Sequence, residues 1–318
     1  MKTLWNWLPS VVDTRVRVAA WASLVSQILI IGTGGAVRLT GSGLGCPTWP
    51  RCTEESFVST PEMGIHGLIE FGNRLLTFLL IIIAIVMFLF VVRMRRERPE
   101  LLRLSVVLGL GIPGQAVIGG ITVLTNLNPH VVGLHYLLSA ILVGLAAVLL
   151  YRVRVGPAGG EWSVPPAVRG LTGAMFGVLW VSILMGILTT GSGPHAGDGG
   201  AARNGLDSWL LQHFHAWPSY IVAGLALTVG ALAWFAGVGS PRFRRSQTAF
   251  LVVVAVQIAV GLYQARNGLP ELFVGVHMVL AAVLVAIATS VLLAQRAEPA
   301  KEIPVGRRPP RQKAASNR

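Results

Sequence analysis

The chain of 318 residues is 53% hydrophobic and only 12% charged, with a mean hydropathy of +0.66. Soluble domains carry about 25% charged residues, so a water-soluble globular fold is excluded and an integral, all-α membrane protein is expected. The formal net charge of +13 is spread between apolar runs, which argues against a nucleic-acid partner and for a topology signal.

Eight apolar runs lie near 18–37, 67–92, 104–124, 132–151, 170–190, 208–236, 248–265 and 272–294. Each meets or approaches the roughly 20 residues that cross a bilayer as helix. The first run ends in a Gly-rich polar stretch with no small-residue cleavage site, so it reads as an anchor. Lys and Arg number 3 before the first run, 5 over 93–103, 3 over 152–169, 3 over 242–245 and 7 from residue 296 on. The alternate connections hold only Arg38, Arg51, Arg203 and Arg266. The positive-inside rule then places both termini in the cytoplasm of a multi-pass cell-membrane protein, with anionic lipid as a further contact of the basic face. The basic tail, 296–318, is expected to be disordered.

The first outer connection reads "GSGLGCPTWPRC". Cys46 and Cys52, this close and on the oxidising face, read as a disulfide that clips the loop, with a pair of incidental thiols as the plainer reading. A metal pair would need further ligands that the loop lacks. The second run opens "HGLIEFGNR" and puts His66, Glu70, Asn73 and Arg74 within nine residues. Ionisable groups at membrane depth are costly and mark functional sites. A spacing of four sets His66, Glu70 and Arg74 on one helical stripe, where Arg74 either pairs with Glu70 or meets an anionic group.

Runs three and four, "GQAVIGGITVLTNLNPHVVGLHYLLSAILVG", are echoed by runs seven and eight, "VQIAVGLYQARNGLPELFVGVHMVLAAVLVA". Gln115 matches Gln257, Gly119 matches Gly261, Gly133 matches Gly275 and His135 matches His277, each 142 residues on. "LTGSG" at 39–43 matches "TTGSG" at 189–193. The expected architecture is therefore a duplicated four-helix unit, 1–155 and 156–295, forming two parallel pseudo-symmetric four-helix bundles. The same shift carries Asn73 onto His215, Glu70 onto Gln212 and Arg74 onto Ala216. One half offers His215 and His277, the other Asn73 and His135, all near the outer ends of even-numbered spans.

Two histidines on facing helices of a bundle suit heme iron, whereas zinc would want more ligands. The plainer reading is that each histidine only bonds a neighbouring helix. The halves also differ as two heme roles differ. Two firm ligands suit electron transfer; one ligand with an acid nearby suits catalysis. Among the remaining polar residues, His130 and His195 read as loop residues, and His213, two positions from His215, points elsewhere. Gln115 and Gln257 either line the two cavities or bond between helices. Trp5, Trp7, Trp49 and Trp209 read as interface anchors.

"AVRLTGSGLGCPTWPRC", "HGLIEFGNR", the histidine of the fourth span and the histidine pair of the sixth and eighth together resemble the heme A synthase family, of an actinobacterial kind, from about residue 15 to 295. The resemblance implies a membrane oxidoreductase that converts the C8 methyl of heme O to the formyl of heme A, for heme-copper terminal oxidases. It implies heme b on His215 and His277 in the C-terminal half, and substrate heme in the N-terminal half with His135 as an axial ligand. Glu70 and Arg74 match the family's Glu-x-x-His-Arg motif, and Cys46 and Cys52 its cysteine pair. Asn73 stands where many members have histidine, which leaves His66 as a possible second ligand. Implied partners are the heme O synthase that supplies substrate, the terminal oxidase assembly that receives product, and an electron carrier of unknown identity. A di-heme electron-transfer subunit of the quinol oxidoreductase kind has no use for Glu70 beside an open site. A parallel-repeat transporter would place its polar breaks at mid-membrane.

Overall fold

The computed structural model describes residues 2–157 and 159–297, and among these it is helical with no strand ladder. Helix α1 (Lys2–Trp7) is followed by α2 (Thr14–Leu39), α3 (Gly64–Val91), α4 (Pro99–Leu124), α5 (Pro129–Val155), α6 (Pro166–Ser192), α7 (Ser208–Phe235), α8 (Pro241–Arg266) and α9 (Glu271–Leu293). The helices α2 to α9 are the eight long enough and apolar enough to span a membrane. They are the eight runs read from the sequence, each lengthened where a polar first turn precedes the apolar stretch. The basic tail from residue 298 lies outside the described residues.

The helix starts are written locally. Proline occupies the first helical position of α4, α5, α6 and α8, where its missing N–H costs nothing. Asp13, Asn128, Asp207 and Ser240 cap α2, α5, α7 and α8, their side chains accepting from the backbone N–H of the second or third helical residue. The short α1 has no counterpart in the apolar pattern. Its end is held by Arg93, whose Nη1 donates to the carbonyls of Trp5, Asn6 and Leu8.

Two turns at sequence-matched positions are alike. Leu127 and Leu269, 142 residues apart, both adopt φ of +57°. The Leu127 N–H donates to the Thr122 carbonyl (2.8 Å) and the Leu269 N–H to that of Gln264 (2.9 Å), again 142 apart. A leucine in the left-handed region costs about 1–2 kcal/mol. The same strained turn therefore closes both helix pairs, α4–α5 and α8–α9.

Packing follows the chain. Helix α2 touches α3 and α5, α3 touches α4, and α4 touches α5; likewise α6 touches α7 and α9, α7 touches α8, and α8 touches α9. The two sets meet through α2, α5, α6 and α9. Where α5 meets α9, a small residue lets the helices approach, as expected where lipid offers no hydrophobic drive: a Cβ on Gly144 would lie 3.6 Å from Cγ1 of Val285. The outward faces are apolar, with Phe78, Ile82, Leu110 and Leu227 exposed. A multi-pass membrane protein follows from these faces and spans.

Candidate functional site

Three histidines sit six or seven residues into α5, α7 and α9, and each rests on a glycine of the preceding helix. A Cβ on Gly119 would lie 3.2 Å from Cε1 of His135, one on Gly186 3.0 Å from that of His215, and one on Gly261 3.1 Å from that of His277. Such contacts are tighter than a side chain tolerates without displacing its neighbour. The glycines therefore set where the imidazoles lie.

His215 and His277 face each other across the second half, with ring centroids 6.0 Å apart and ring planes at 77°. An imidazole nitrogen sits about 2.0 Å from a bound metal ion, so two rings on opposite sides of one ion stand roughly 6 Å apart, centre to centre. The pair fits a bis-imidazole site. Nδ1 of His215 donates to the Ser182 carbonyl (2.9 Å), which leaves Nε2 its lone pair and fixes the ring, as ligating histidines require. Gln257 Nε2 donates to the His277 carbonyl and Gln115 Nε2 to the His135 carbonyl, both at 3.1 Å. Of the two readings of these glutamines, the interhelical bond is the one formed. Their Oε1 atoms, and Nδ1 of both histidines, are buried without a partner. Each half thus repeats the same orphaned donor–acceptor set, a pattern suited to bridging water.

In the first half Asn73 takes the place of His215. Its Oδ1 accepts from the Thr33 hydroxyl at 2.8 Å, as His215 meets Ser182 on α6. His66, seven residues earlier on α3, lies roughly 10 Å nearer the start of that helix along its axis. Its Nδ1 bonds Ser42 Oγ at 2.9 Å, and it lines an open cleft of about 620 Å³ with Leu44, Gly45, Met63 and Asp198.

Glu70 is 6% exposed. Its Oε1 accepts from Arg74 Nη2 (2.5 Å) and Nε (3.1 Å), and its Oε2 from the backbone N–H of Cys46. Arg74 continues into the loop: Nη2 donates to the carbonyls of Cys46 and Thr48, and Nη1 to that of Arg51, each at 3.0 Å. Of the two roles open to Arg74, the pair with Glu70 is formed. Cys46 and Cys52 are joined as a disulfide, Cα to Cα 4.4 Å, and both are fully buried. The loop is therefore clipped covalently and clamped from within by one ion pair.

Two loop contacts carry no sequence signal. A Cβ on Gly45 would strike the backbone of His66 and Gly67, and one on Gly120 would enter the indole of Trp49. Trp49 is thus drawn onto α4, beside the glycine under His135, where the sequence suggested an interface anchor. Trp209 and Trp7 do remain exposed. His213 bonds the Trp209 carbonyl (2.7 Å) and packs against its ring at a tilt of 43°, on the side of α7 away from His215. His130 falls in the first turn of α5, because that helix begins at Pro129 rather than at the apolar run. His195 lies in the Gly-rich loop after α6, its Nε2 on the Leu269 carbonyl at 2.9 Å.

The chain that builds this arrangement is similar in sequence to known proteins. The family model for COX15-CtaA, cytochrome oxidase assembly protein, matches residues 17–289. A heme A synthase of Sphingopyxis alaskensis is 27% identical, over 86% of this chain and 89% of that protein. One of Geobacillus thermodenitrificans is 28% identical over 46% of each chain, and one of Bacillus pumilus 33% identical over 42% of each. The last two alignments span less than half of the relatives they match. Because the family model covers His135, the His215–His277 pair, the disulfide loop and all but the ends of the chain, the protein belongs to the COX15-CtaA family of cytochrome oxidase assembly proteins.

Proposed function

We propose that the protein is a heme A synthase, a membrane oxidoreductase that converts the C8 methyl of heme O to the formyl of heme A. The observation that carries the reading is the asymmetry between matched sites. The C-terminal half (156–295) offers two facing imidazoles, with Gln212 at the position matched to Glu70; the N-terminal half (1–155) offers His135, Asn73 and a buried Glu70. In this reading the halves are parallel copies of one four-helix bundle. The bilayer orientation puts both termini in the cytoplasm and the Cys46–Cys52 loop outside.

His215 and His277 would hold heme b, which supplies one-electron transfer when bound. His135 would ligate the substrate heme iron, opposite Asn73 or His66. Glu70 is the candidate catalytic carboxylate. Three of its about four acceptor positions are occupied by Cys46 and Arg74, so its charge is held in place with one lone pair free. A fixed carboxylate there can stabilise positive charge developing on a substrate carbon, or orient a water. Glu70 is only 6% exposed, and a charge removed from water acts more strongly. Heme O would arrive from its synthase and heme A leave toward terminal oxidase assembly, with electrons passed to a separate carrier.

The test is heme extraction, by chromatography and mass spectrometry, from membranes that co-express a source of heme O with this protein. Heme A appearing only when both are present supports the reading; heme O left unconverted overturns it.

A further inference from the structure

Arg38 ends α2 between the two halves. Its Nε donates to the His195 carbonyl and its Nη2 to that of Thr190 at 2.7 Å, while Nη1 makes no hydrogen bond among the described residues. Two carbonyls satisfy part of its donor fork but bring no full negative charge, and no carboxylate pairs with it among the described residues. A second guanidinium, Arg203, lies close enough for its like charge to act on Arg38. Arg203 is likewise held only by carbonyls, of Ala201 and Pro194, each at 2.7 Å. Two neighbouring cations, one partly buried, are costly unless an anion joins them.

The position names the anion. A Cβ on Gly32 would meet Val279, one on Gly35 would meet Met278, and one on Gly275 would meet Leu39. Helix α2 therefore runs antiparallel to the start of α9, and Arg38 stands within about one helical turn, ~5.4 Å, of the level of His277. The loop that holds Arg38 is tied to the α8–α9 turn through His195 and Leu269.

We infer that Arg38, with Arg203 at its rim, is a binding site for a carboxylate of the porphyrin held between His215 and His277. This rests on the heme reading of that pair. The planar fork of Arg suits a carboxylate in two-point contact. The shared chemistry, an oxyanion at the outer end of the bundle, could also come from a lipid phosphate.

The experiment is a potentiometric titration of the b-type heme in purified protein in nanodiscs. Ferric heme carries one more positive charge than ferrous, so a nearby cation raises the midpoint potential. Arg38→Gln should shift the midpoint to more negative values, Arg38→Lys should recover most of the shift, and the exposed Arg203→Gln should give a smaller fall without a folding defect. An intact low-spin spectrum with unchanged midpoints in Arg38→Gln and Arg203→Gln overturns the site. A midpoint that moves in wild type, but not in Arg38→Gln, when anionic lipid is replaced by zwitterionic lipid overturns the porphyrin carboxylate in favour of lipid phosphate. Loss of any Soret band in wild type would strike the heme reading itself, a different failure.

Discussion

At the scale of single residues the two halves can be exchanged one atom group at a time. Glu70→Gln keeps the shape and the bond to Cys46 but removes the charge. Turnover should fall on the order of 10²-fold, the size found when a preorganised electrostatic partner is lost. Bound heme b should persist and heme O, or a partly oxidised product, should accumulate in the extract; undiminished heme A would overturn the catalytic role. Asn73→His installs the residue of the matched position. If Asn73 faces the iron, the heme of the first half should move to a low-spin spectrum, since a second strong ligand then fills the axial site. An unaltered spectrum would shift the second-ligand role to His66. The stripe of His66, Glu70 and Arg74 was legible because a charged cluster inside an apolar run has few structural explanations. The second task of Arg74, holding three loop carbonyls, was not. Backbone acceptors leave no trace in the sequence, and only the folded loop brings Cys46, Thr48 and Arg51 within reach of α3.

At the scale of elements, the loop between α2 and α3 is held by three independent devices: the disulfide, the Arg74 clamp and the seat of Trp49 on Gly120. Gly120→Ala should therefore separate packing from helix propensity. Alanine gains up to about 1 kcal/mol in a helix, but its Cβ enters the indole, and such overpacking costs about 1–3 kcal/mol. Limited proteolysis should cut residues 45–52 faster in this variant. Gly114→Ala on the same helix, where a Cβ meets nothing within 4 Å, should leave the loop protected; equal cleavage of both variants would remove the Trp49 contact from the account. Cys46 and Cys52 should resist alkylation until reduced. Closing so short a loop is worth about 2 kcal/mol, so Cys→Ser should lower turnover while heme b stays bound. Free labelling of both thiols in native membranes would contradict this. The helices themselves were legible from hydropathy, whereas their polar first turns fall outside the apolar runs. The seat of Trp49 was hidden because an aromatic near a helix end has the same sequence appearance whether it faces lipid or a neighbouring glycine.

At the scale of the whole molecule, duplication makes a prediction that neither half makes alone. His215→Ala or His277→Ala should abolish the low-spin b-type spectrum, because each removes one of two axial ligands. His135→Ala should retain that spectrum and weaken only the hold on substrate heme. Wild-type spectra in both C-terminal variants would break the assignment of heme b to that half. The repeat was legible through offsets of 142, and the paired turns at Leu127 and Leu269 carry the same offset into backbone conformation. The junction between halves was not legible, since Arg38 has no counterpart at its matched position. The shared depth of the histidines has an energetic consequence. His277 lies six residues into α9, roughly 9 Å along the axis, against a hydrocarbon core of about 30 Å. A charge moving between that level and the nearer aqueous face thus crosses about a third of the transmembrane voltage drop. At about 2.3 kcal/mol per charge per 100 mV for the full crossing, the electrical work is about 0.7 kcal/mol per charge for each 100 mV. Oxidation at this level can proceed in a fully energised membrane with little opposition from the field, and it stores almost nothing in that field in return.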